Sequence, residues 1–64
     1  MANRTSTDWS VEVATVTGRV LTHHGLGEDE AFELANNARY GRGIRETRVH
    51  RDGHEMGVFR GTFA

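Results

Sequence analysis

Arginine stands at every third position from Arg39 to Arg51, as Arg39, Arg42, Arg45, Arg48 and Arg51, with Tyr40, Gly41 and Gly43 interleaved. Guanidinium groups contact phosphates and stack on bases, and Tyr40 adds an aromatic plane, so nucleic acid is one partner class that this segment fits. The spacing does not make a stripe on a strand, because strand side chains alternate with period two and Arg45 and Arg48 then point to opposite faces. Only Arg39 and Arg42 are expected to project together. Glu46, Asp52 and Glu55 dilute the positive field, and the whole chain carries a net charge of −1, well away from a strongly basic balance.

Four histidines, His23, His24, His50 and His54, form two near-adjacent pairs. Neither pair has a preset chelating geometry: His50 and His54 bracket a tight turn, and His23 and His24 point to opposite sides of a strand. They are read as surface histidines at strand ends, and no metal is expected. Nucleophiles are equally scarce, with no cysteine, no lysine, and Ser6 and Ser10 near the amino terminus. Gly25-Leu26-Gly27 has the wrong spacing for a dinucleotide fingerprint or a phosphate loop. The expectation is a non-catalytic protein without a cofactor.

These side chains have to be positioned by a small scaffold. At 64 residues there is room for one thin core, since a chain of this size buries only about 60% of the surface its unfolded form exposes. Met1 to Ser10 are polar, with no apolar run of the signal-peptide kind, and no stretch approaches the roughly 18 apolar residues of a membrane span. A soluble, cytoplasmic protein is expected, with residues 1–8 as a loose tail and residues 9–64 as a single domain. Charge is uneven along the chain: Met1 to Ala38 carry two arginines against six acids, and Arg39 to Ala64 carry six against three. The protein therefore has an acidic half and a basic half.

The clearest element is a helix from about Glu28 to Tyr40. Ala31, Leu34, Ala35 and Ala38 recur at helical spacing with Phe32 beside them, Glu28, Asp29 and Glu30 fill the first turn, and Gly41 and Gly43 end it. Asp52-Gly53 is a strong two-residue hairpin signal between the strand-like runs Ile44 to His50 and Glu55 to Phe59. With Arg51 and His54 flanking that turn, Val49 pairs with Met56 and Thr47 with Val58, and this face meets the helix. The other face then carries Ile44, Glu46, Arg48 and His50 against Phe59, Gly57 and Glu55.

Trp9 to Thr17 alternates in the same way, and Thr17-Gly18 is read as a turn that pairs Val20 with Thr15. The fold expected is α+β, a small antiparallel sheet of three to four strands, ββαββ with βαββ as the alternative, and one helix on one face. Function, as a regulatory or inhibitory interaction module, is then expected on the uncovered face, where Phe59 and Ile44 stand among Arg48, His50 and charge as an apolar anchor with a polar rim, or at a sheet edge able to pair with another chain. The alternative is that the tail Gly61 to Ala64 folds back over them through Phe63. The residues singled out for binding are Arg39, Arg42, Ile44, Arg48, His50 and Phe59, the partner is a protein, first of all a second copy in a homodimer, and nucleic acid on the Arg39 to Arg51 segment is the alternative.

Overall fold

The computed structural model describes residues 7–62. Its elements run β1 (Trp9–Thr15), β2 (Val20–Leu26), α1 (Glu28–Ala38), β3 (Ile44–Arg51) and β4 (His54–Arg60). All strand pairs are antiparallel, in the order β2-β1-β3-β4. The architecture is α+β, with the helix packed on one face of the sheet.

The helix forms where the alanine stripe predicts it. Ala31 and Ala35 are fully buried, and their lack of bulk lets the helix axis approach the strands closely. The Gly27 N–H, otherwise an orphan at the helix start, donates to Glu30 Oε1 at 2.9 Å. Arg39 is the C-cap, and the Gly41 N–H donates to the Ala38 carbonyl as the helix ends.

Beneath the helix lie Trp9, Val11, Val13 and Val49, all buried, with Phe32 tilted against Trp9 at 5.6 Å between ring centroids. Thr47 is the one buried polar side chain among the described residues. Its Oγ1 donates to the Ala35 carbonyl at 2.9 Å, tying the helix to a central strand. Deep burial of a hydroxyl is tolerated because that bond is made.

Three expected registers are corrected. The β1–β2 loop is Val16-Thr17-Gly18, not a two-residue turn: the Gly18 N–H donates to the Thr15 carbonyl, and Gly18 takes φ 96°, so Val20 pairs with Ala14 and not with Thr15. The Asp52-Gly53 turn is as expected, with φ of 50° and 85° at its two residues and Arg51 opposite His54. Past Glu55, however, the pairing skips Met56, so Val49 faces Gly57 and Thr47 faces Phe59. This β-bulge reverses the faces of β4. Phe59 turns under the helix, edge-on to Phe32 at 6.3 Å, while Met56 and Val58 are 48% and 43% exposed.

Gly57 explains the choice, since a Cβ there would lie 3.3 Å from the Phe32 ring. A larger residue facing the helix at this point would crowd Phe32. Burying the Phe59 ring instead contributes about 1.5–3 kcal/mol. The third correction is Ile44: β1 skips Arg45 in pairing Ala14 with Glu46 and Thr15 with Ile44, and Ile44 packs against the core.

Two substitutions test this packing. Ala35→Leu should overpack the helix–sheet contact and cost about 1–3 kcal/mol, whereas Thr47→Val should cost only about 1 kcal/mol for the lost hydrogen bond. Urea unfolding followed by circular dichroism measures both, and equal small losses would show that the helix is not seated on Ala35.

Candidate interaction surfaces

The sheet face away from the helix can be read as rows across the strands. One row is Thr22, Glu12, Arg48 and Val58; the next is Val20, Ala14, Glu46 and Arg60. Opposite charges pair along β3 and across to its neighbours. Arg48 Nε lies 2.7 Å from Glu46 Oε2 and its Nη1 lies 3.3 Å from Glu55 Oε1. The hydrogen bond and charge of Glu46 hold the Arg48 guanidinium above its ordinary range. His50 Nε2 lies 3.2 Å from Glu12 Oε1.

A shallow open depression lined by Ser10, Glu12, Thr22, His24 and His50 sits beside that pair. Here one histidine from each sequence pair shares a surface, although among the described residues no group of three or more His, Asp or Glu is placed to hold a metal. The face is thus satisfied electrostatically. Its expected apolar anchors are gone, because Ile44 and Phe59 lie on the core side. Phe63 lies outside the described residues.

The arginines sort by topology. β1 and α1 end at one pole of the molecule, where the β1–β2 loop, the start of β3 and the end of β4 also lie, so Arg19, Arg39, Arg42, Arg45 and Arg60 share that pole. The segments forming it, residues 15–19, 38–45 and 60–62, contain no carboxylate side chain. Arg39 is held there: its Nε donates to the Arg60 carbonyl at 2.9 Å, and its guanidinium lies 5.7 Å from the Phe59 ring centroid and 5.6 Å from that of Tyr40. The expectation that only Arg39 and Arg42 project together is too narrow, since Arg45 joins them and so do Arg19 and Arg60 from distant segments.

Arg51, by contrast, is at the opposite pole. It pairs with Asp8 at 3.4 Å and lies 5.7 Å from the Trp9 ring centroid, near Glu28, Asp29 and Glu30 at the helix start and Asp52 in the β3–β4 turn. The Asp52 N–H also donates to the Asp8 carbonyl at 2.9 Å, so Asp8 is tied to the sheet.

The third surface is the β2 edge. Six of its seven residues are exposed, and Val20 and Leu21 are each 55% exposed. The helix packs chiefly on β1 and β3, and Leu21, beside Val13 on the helix side, stays exposed. The Thr15 N–H donates to the Arg19 carbonyl. Arg19 therefore points its main chain at β1, and by alternation Leu21 and His23 do the same, which leaves the N–H and C=O groups of Val20 and Thr22 and the N–H of His24 on the outer edge.

Edges are ordinarily blunted by charge, proline or bulges. The opposite edge strand, β4, has Glu55, Arg60 and the Met56 bulge. From Val20 to His24 there is no lysine, arginine, carboxylate or proline. A bulge at His24 and Gly25, two residues opposite Ser10, limits the open run to those five residues.

Among the described residues no helix is long and apolar enough to cross a membrane. Compared with family models, curated proteins and solved structures, the chain matches none of them.

Proposed function

We propose that this chain is a small non-catalytic protein-interaction module, a regulatory or inhibitory factor that works by accepting a strand from another protein on the open edge of β2. The observation that carries this reading is the run Val20 to His24, exposed, uncharged at its edge and carrying outward main-chain donors and acceptors. Strand addition takes its affinity from such main-chain bonds and its specificity from alternate side chains. The paired charges of the outer face support the edge over the face, because ion pairs at an exposed surface contribute little and the expected anchors Ile44 and Phe59 lie on the core side.

Thr22→Pro tests this cleanly. Proline removes an outward N–H while the bonds from Leu21 and His23 to β1 stay in place, and an edge strand tolerates it. A partner captured from the native host by the wild-type chain should be lost from Thr22→Pro, with circular dichroism of the variant unchanged. Equal capture by both chains would contradict the edge reading.

A second reading is favoured by the arginine pole. Five arginines gathered at one pole, with Glu46 beside Arg60 as the adjoining carboxylate, suit a polyanion, nucleic acid foremost, as a docking surface. Binding to random-sequence DNA at low salt should decay steeply as salt rises, and Arg42→Ala with Arg45→Ala should lower the salt slope by about 2. Absence of binding at low salt removes this reading.

A further inference from the structure

We infer that the strand which docks on the β2 edge is β2 of a second copy, paired antiparallel about a two-fold axis at Thr22, so that two four-stranded sheets become one. This rests on the edge reading above and names its partner. In that register the outward main chain of Thr22 meets the partner's Thr22, Val20 meets the partner's His24, and Leu21 lies against the partner's His23. Pairs of this kind give about four main-chain hydrogen bonds, two at Thr22 and one from each His24 N–H to the partner's Val20.

Three observations point to a second copy over a foreign strand. The run Val20 to His24 brings no carboxylate, lysine or arginine to the seam, so its pairing with itself opposes no fixed like charges. Charge is also polarised along the strand direction. Arg19 lies at the basic pole with Arg39, Arg42, Arg45 and Arg60, and the other end of β2 leads through Gly27 into Glu28, Asp29 and Glu30. An antiparallel two-fold sets the basic pole of each copy beside the acidic pole of the other, with Arg19 opposite the partner's Gly25 and close to its acidic helix start. Parallel pairing would set like poles together.

The third observation is that Val20 and Leu21, the largest apolar residues of β2 left exposed, lie within the paired run. They gain cover that the helix does not give them. The β4 edge fails the first criterion, since Glu55 and Arg60 flank its bulge.

One strand pair is a small interface, under about 1,200 Å² in total, so association should be weak and visible as a rise with concentration. Sedimentation of the wild-type chain between about 10 µM and 1 mM is expected to move from monomer toward dimer on this scale, and to move back as salt rises. Thr22→Pro should stay monomeric, and Arg19→Glu should weaken the dimer without touching the β2 main chain. Because the chain has no cysteine, a single introduced one reports proximity. Cα atoms at a hydrogen-bonded antiparallel pair are roughly 5.5 Å apart, inside the disulfide range of about 4.4–6.8 Å.

Thr22→Cys should therefore form a covalent dimer under mild oxidation far faster than Met56→Cys at the other edge. A wild-type monomer at every concentration, or a dimer that persists in Thr22→Pro, or cross-linking through Met56→Cys at an equal rate, would overturn the inference. The edge reading has its own readout in the hetero-partner capture, so a chain that never self-associates yet loses its partner in Thr22→Pro rejects the homodimer alone.

Discussion

One helix of eleven residues has to cover a sheet of four strands. Strands lie about 4.8 Å apart and a helix with its side chains is about 10 Å across, so one helix covers roughly two strands. Ala31 and Ala35 seat it over β1 and β3, Thr47 fixes it to β3 by a buried hydrogen bond, and Phe32 reaches sideways to Trp9 and Phe59. β4 gains cover through Phe59. β2 has no equivalent ring, and Leu21 on its helix side stays 55% exposed. The exposure of β2 thus follows from helix width and from which strand received the phenylalanine.

The elements were legible from local chemistry. The alanine stripe, the acidic first turn, the Asp52-Gly53 turn and the alternation of Trp9, Val11 and Val13 are signals carried within a few residues, and each appears where local spacing puts it. The faces of β4 were not legible, because the bulge at Met56 depends on what lies across the strand and above it. Gly57 was the available hint, as glycine inside a strand often marks a bulge or a close approach. Only the position of the Phe32 ring turns that hint into a register. The same gap between local and global geometry hid the arginine pole. A count along Arg39 to Arg51 gathers Arg48 and Arg51, which topology sends to the outer face and the far end, and it misses Arg19 and Arg60.

Charge and edge act along the same axis. Two poles form because β1, α1 and β4 end where β3 starts, which gathers Arg19 with Arg39, Arg42, Arg45 and Arg60 and leaves Glu28, Asp29 and Glu30 at the other end. Such a field orients an approaching molecule more than it holds it. Affinity has to come from desolvated main-chain groups and apolar cover, and β2 combines both. The outer face offers paired ions, which are screened by salt and stabilise little. On the proposed reading, recognition falls to the strand that the helix covers least.

Amide hydrogen exchange, resolved by residue, tests the free edge most directly. At low protein concentration the Val20, Thr22 and His24 amides should exchange far faster than those of Leu21 and His23, which donate to β1, and the first three should gain protection as concentration rises. Uniform slow exchange along β2 in the dilute protein would contradict the account, because it would mean that the edge is already covered within the single chain.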